Sequence, residues 1–290
     1  MNTETRDING WPFFIRTWGD PSLPPLLLLH GFPEYSGAWA GLAERLSHRF
    51  YCIAPDQRGY GRTGGEDDMA LYVTPSLTRD MAALIDSFGG RVTVMGHDWG
   101  AAVAYGLAMF FPDKVARLII ANGVHPVPFQ RELAAGGAQS EASQYINWLR
   151  AEGSEEKLAA NNCEKMLSFF TAKMDPSWLD EETRTEYLTE WQRPGRLKTM
   201  VNWYRGSPLK VADPGKPITD LPALPLDRLH VRQPHLLIWG MGDTALLPEA
   251  NAGLEDFAPD LTRVTLDHCN HWLMHQDPDA VARAVLEWMP

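Results

Sequence analysis

Residues 91–105 read RVTVMGHDWGAAVAY, and the reading of their middle decides the fold. Gly96-His97-Asp98-Trp99-Gly100 has the spacing of a Gly-x-Ser-x-Gly nucleophile elbow, with aspartate in the serine position. An elbow needs small flanking residues because its nucleophile occupies a strained strand-to-helix turn. Gly96 and Gly100 supply them, RVTVM reads as the strand before the turn, and 99–111 reads as the helix after it. Taken alone, Asp98 could equally be the N-cap of that helix, a common aspartate role. The rest of the chain has to choose.

Further on, HLLIWG (235–240) and LTRVTLD (261–267) resume a strand rhythm begun outward from the elbow by LLLLH (26–30), FYCIAPD (50–56) and RLIIAN (117–122), which with RVTVM are short apolar runs. Such runs suit strands buried on both faces of a parallel sheet. Helices over 37–48, 76–88 and 99–111 alternate with them, and a helix over 278–289 closes the chain. That rhythm is the βαβ pattern of an α/β fold. Asn9-Gly10, ahead of Trp11 to Trp18, signals an N-terminal hairpin. After Asn122 the rhythm gives way to helical stretches at 141–151, 154–170 and 180–191, then to a connector holding Pro208, Pro214, Pro217, Pro222 and Pro225. The expected organisation is an α/β core made of 1–125 and 213–290, a mostly parallel sheet flanked by helices, interrupted by a helical lid over 126–212.

Composition sets the outer bounds. At about 150 residues per domain, 290 residues suggest one large domain or one carrying a sizeable insertion. With 44% apolar and 22% charged residues the chain is globular in type. Twenty-six basic against 37 acidic residues leave a net charge of −11, which argues against nucleic acid or an anionic membrane as partner. Cys52, Cys163 and Cys269 are odd in number and scattered, so they form neither a disulfide framework nor a zinc site. A reduced, cytoplasmic setting is expected. The polar N-terminus has no signal-peptide core, and no apolar run is long enough to span a bilayer. A homodimer is left open.

Two further residues turn the elbow into a constellation. Asp243 follows HLLIWG in Gly240-Met241-Gly242-Asp243, and His271 follows LTRVTLD in DHCNHW. Both stand beyond the carboxyl end of an expected strand, where open α/β sheets gather their sites. Nucleophile, acid and histidine also occur in the chain order this elbow uses. His268, Asp267 and Asp256 compete on residue type but are less well placed. Asp243 alone could be a turn residue, but the joint order Asp98, Asp243, His271 is hard to produce by coincidence. The His30-Gly31-Phe32-Pro33 loop after LLLLH can present the Phe32 N–H, and Trp99 presents a second, which makes an oxyanion hole.

With HGFPEYSGAW (30–39), DQRGYGRT (56–63), GHDWGA (96–101), NGVHPVPF (122–129), NWYR (202–205), WGMGD (239–243) and CNHW (269–272) in this order, the chain resembles the α/β-hydrolase superfamily. Within it, the aspartate places the resemblance in the epoxide hydrolase and haloalkane dehalogenase branch. A carboxylate nucleophile is ionised without help and opens a strained or activated sp³ C–O or C–halogen bond, forming an enzyme ester. The resemblance implies that His271, oriented by Asp243, then activates water against that ester, without metal or organic cofactor. It also implies two lid tyrosines holding the epoxide oxygen. Tyr204, in NWYR, matches one, and Tyr145 matches the other, with Tyr187 as the alternative to Tyr145. Dehalogenases of this branch pair a tryptophan after the nucleophile, here Trp99, with a second halide donor; that position is Phe32. Haloacetate dehalogenases place arginines where Trp99 and Ala102 stand. The expected substrate is a small apolar epoxide, with a haloalkane or haloacid as the alternative and a non-catalytic binding protein as a third reading. The tryptophans at 148, 178, 191 and 203 suggest an apolar pocket, or simply a packed lid.

Overall fold

A computed structural model describes all 290 residues. Its strands are β1 (Asn2–Ile8), β2 (Trp11–Trp18), β3 (Pro25–Leu29), β4 (Tyr51–Pro55), β5 (Val92–His97), β6 (Val115–Ala121), β7 (His235–Gly240) and β8 (Leu261–Leu266). They form one sheet in the order β1-β2-β4-β3-β5-β6-β7-β8. The β1–β2 hairpin and the β2–β4 pair are antiparallel, and every later pair is parallel. This is the α/β architecture that the strand and helix rhythm anticipates, and it agrees with the fold that the α/β-hydrolase resemblance implies. The chain crosses over β3 on its way from β4 to β5, so the topological switch lies between β3 and β5. Ligand sites of open sheets form at such a point.

Side chains along a strand alternate faces, so the sheet separates two cores. Leu26, Leu28, Met95, Ile119 and Ile238 pack on one face, with helices α1 (Ala40–Leu46), α10 (Leu273–Gln276) and α11 (Pro278–Trp288). Leu27, Leu29, Val94, Ile120 and Leu237 pack on the other, with α2 (Thr74–Asp86) and α3 (Trp99–Phe110). Strands β5 and β7 are buried throughout, as their unbroken apolar runs imply. Strand β8 is more exposed. It lies at the sheet edge, and Thr262, Arg263 and Thr265 of LTRVTL are exposed.

Between β6 and β7 lie six helices: α4 (Pro126–Ala134), α5 (Ala138–Ala142), α6 (Gln144–Arg150), α7 (Ser154–Phe170), α8 (Glu181–Trp191) and α9 (Arg196–Arg205). The stretch expected as one helix over 141–151 is two, meeting at Ser143. Helix α7 is interrupted by left-handed Asn161, Asn162 and Cys163. Neither α4 nor α9 stands out in the sequence. Pro126 starts α4, and the His125 ring accepts the Val127 N–H at 3.3 Å, so the His-Pro pair is a helix start. No helix is long and apolar enough to cross a membrane, and the three cysteines are free and buried.

Candidate active site

Asp98 sits between the end of β5 and the first residue of α3 with φ 50° and ψ −121°, a conformation that an L-residue adopts only under constraint. The constraint is crowding. A Cβ on Gly96 would lie 2.6 Å from the Gly100 carbonyl oxygen, and one on Gly100 would run into the Leu29 carbonyl. Strand, turn and helix fit together only with glycine at both positions. Although Asp98 occupies the N-cap position, its side chain makes no capping hydrogen bond. Its Oδ1 instead accepts the Phe32 N–H at 2.7 Å. The helix-cap alternative therefore falls.

The loop after β3 comes this close because Gly31 has no side chain; a Cβ there would overlap the Asp98 carboxylate. On the other side of Asp98, His271 Nε2 lies 3.7 Å from Oδ2. His271 Nδ1 faces Asp243 Oδ2 at 2.6 Å. Asp243 is itself fixed at four points. Its Oδ1 accepts the N–H groups of Ala245 and Leu246 at 2.8 and 2.9 Å, and its Oδ2 accepts Asn122 Nδ2 at 2.8 Å as well as the imidazole. His268, by contrast, is exposed and faces Asp277. Asp267 and Asp256 are exposed as well.

Asn122 is a site residue that the residue-type reading missed. It follows β6, adopts φ 34°, and binds both ways to Gly240, accepting its N–H at 2.6 Å and donating to its carbonyl at 3.2 Å. The signal was available, since Asn122 ends a strand just as Asp98 and Asp243 do. Also unforeseen is Glu34, fully buried, which receives Tyr187 OH at 2.9 Å and faces His275 Nε2 at 2.7 Å and His97 Nδ1 at 3.1 Å. Nothing in the spacing of these residues announces that cluster.

Burial pushes the Asp98 carboxyl above the usual carboxylate range, against the pull of His271, His97 and the N–H groups of Phe32 and Trp99. Burial acts in the same sense on Asp243, but His271 and the hydrogen bonds to it outweigh that effect and hold its pKa below the ordinary value. For His271 burial opposes the proton, yet Asp243 first, then Asp98 and Glu34, raise its pKa to about 9.

Two adjoining cavities meet at Asp98, of about 450 Å³ and about 270 Å³. Tyr145 of α6 and Tyr204 of α9 line both, and Trp99 lines the larger. The Tyr204 ring packs edge-on against Phe32 and Trp99, each at 5.1 Å between centroids, and Tyr145 lies 6.2 Å from Tyr204. Burial, reinforced by the Asp98 charge, keeps both phenols protonated well above their usual range. Tyr187 lines neither cavity, because its hydroxyl is engaged by Glu34. Of the two candidates for the first tyrosine, Tyr145 is the one beside Asp98. No three His, Cys, Asp or Glu side chains converge as metal ligands do.

Residues 26–284 match the family model described as "Alpha/beta hydrolase family". The chain is 29% identical over 284 residues to the AB hydrolase superfamily protein YfhM of Bacillus subtilis, covering 97% of this chain and 95% of the relative. It is 28% identical over 285 residues to Epoxide hydrolase 4 of Homo sapiens, covering 96% of this chain and 75% of the relative. A solved structure described as "Novel epoxide hydrolases belonging to the alpha/beta hydrolases superfamily in metagenomes from hot environments" superposes with TM-score 0.90 at 35% identity. The match covers 100% of this chain and 99% of that one.

Proposed function

Because the chain belongs to the alpha/beta hydrolase family and is an epoxide hydrolase-like hydrolase, we propose that it opens epoxides to vicinal diols through an ester on Asp98. The observation that carries this reading is the sharing of one cavity wall by Asp98, Tyr145 and Tyr204. Asp98 Oδ2 attacks an epoxide carbon as the C–O bond breaks. Tyr145 and Tyr204 hydrogen-bond the departing oxygen, and one of them gives it a proton. Asp98 is then a neutral ester, and His271 loses one of the charges that raised its pKa toward 9. With that charge gone the imidazolium gives its proton to the tyrosinate, which frees the imidazole to act as a base. It removes a proton from water, whose oxygen adds to the Asp98 carbonyl carbon. The Phe32 and Trp99 N–H groups hold the resulting oxyanion, as the Phe32 N–H holds Oδ1 in the resting enzyme. Collapse expels the diol oxygen, which takes the carboxyl proton and leaves Asp98 ionised. Asp98 is then ionised beside imidazolium with both phenols protonated, and the cycle closes.

In this reading the 126–212 segment is the lid, the core is 1–125 with 213–290, and the enzyme works in a reducing, cytoplasmic setting on a small apolar epoxide. A dehalogenase could use the same nucleophile, but Phe32 presents no side-chain donor for halide, and its ring is packed on Tyr204. The test is turnover of an aryl epoxide and a haloalkane by wild type and by Asp98→Ala. Diol formation that vanishes in the variant is expected; halide release without diol would overturn the reading. His271→Gln should accumulate an ester on Asp98, detected as a mass adduct after exposure to substrate.

A further inference from the structure

Asp98, Tyr145 and Tyr204 are the three residues common to the two cavities, so the reacting groups form a waist with an arm on either side. The arms differ in chemistry. In the larger, Asp98 is the only charged side chain. It runs along α3, where Ala102 and Gly106 follow Asp98 at one-turn spacing and line the wall with almost no side-chain bulk. Helix α2 packs directly against α3 at Thr78, where a Cβ on Gly106 would collide with the Thr78 hydroxyl. The arm reaches the surface at Phe110 and Leu224, large apolar side chains that are 46% and 41% exposed. The smaller arm holds His271 and has Glu141 and Lys173 among its lining residues, so it is the wetter one.

We propose that the substrate is an internal epoxide with unequal substituents: a long apolar one in the arm along α3, and a short one in the arm beside His271. Ala102 sets the length selectivity. A group at the waist presents its two carbons toward different arms, so a second substituent has a place to go. Water for the ester step reaches His271 from the smaller arm while the apolar tail stays in the other. The open mouth between Phe110 and Leu224 lets tails longer than the cavity protrude. This inference rests on the epoxide-opening reading above, and its test separates the two.

The test compares kcat/KM for terminal epoxides of increasing alkyl length with that for the same epoxides carrying a methyl group on the unsubstituted ring carbon, which makes them internal. Each methylene should raise kcat/KM about fourfold until the mouth is reached, the equivalent of about 0.8 kcal/mol per buried CH₂. The added methyl group should raise kcat/KM as well. Ala102→Leu should flatten the length dependence, and Ala142→Leu, on the smaller arm, should reverse the preference for internal epoxides. A flat length series in wild type, or one unchanged by Ala102→Leu, overturns the proposal. Calorimetric binding of the matching 1,2-alkanediols gives a second measurement independent of turnover. If no epoxide is opened but diol affinity rises with length and loses that rise in Ala102→Leu, the reaction is misassigned and the arm stands. If diol affinity is independent of length, the arm assignment fails.

Discussion

The proposed catalytic groups come from two regions held by different forces. Asp98, Asp243 and His271 stand beyond the ends of β5, β7 and β8, and hydrogen bonds fix them. Asp243 alone engages four partners, one of them Asn122, which ties β6 to β7. Tyr145 and Tyr204 stand on α6 and α9, positioned by ring packing against Phe32, Trp99 and Phe169. Hydrogen bonds with definite acceptors fix an atom, whereas edge-to-face rings fix a surface and tolerate small displacements. In the proposed reaction the sheet half therefore supplies groups fixed atom by atom, and the helical half supplies groups held on a packed surface.

The sharpest way to break that division is Asp243→Asn. The amide keeps the shape but not the charge that holds His271 in its working tautomer, and ester hydrolysis should fall about 10⁴-fold while ester formation persists. Rapid-quench detection of the ester checks this; equal loss of both steps would mean that Asp243 mainly supports the fold. Next in size is Tyr204→Phe, expected to slow ring opening about 10²-fold with little change in the hydrolysis of an ester already formed. Tyr187→Phe is its control. It should lower unfolding stability by about 1.5–3 kcal/mol through the lost bond to Glu34 and leave ester formation intact. Stability should also depend on pH. Folded His271 keeps its proton up to about 9, against 6.5 for an ordinary histidine, so its contribution is fully present below pH 6.5 and is lost as pH rises through 9. Tm should decline across that window, and His271→Gln should flatten the decline.

The same two regions differ in how far they can be read from residue order. The elbow is legible because its constraint is local: Gly96 and Gly100 are required by contacts within a strand, a turn and the neighbouring strand. Asp243 and His271 are legible because a strand's carboxyl end delivers whatever follows it to one edge of the sheet. Strand β8 is legible as a strand in LTRVTLD, but its place at the sheet edge is not. The break at Ser143 between α5 and α6, and the existence of α4 and α9, escaped periodicity because these are short helices shaped by packing.

By itself, the sequence determined the α/β rhythm, the elbow, the chain order of Asp98, Asp243 and His271, and a helical segment rich in aromatic residues. Each of these depends on neighbours in the chain or on a topological rule. Tertiary structure alone decided that Asp98 accepts from Phe32 instead of capping α3, and that Tyr145, not Tyr187, stands beside it. It also decided that Glu34 lies buried among His97, His275 and Tyr187. Those outcomes depend on contacts between residues 63 to 241 positions apart, and no local pattern encodes them.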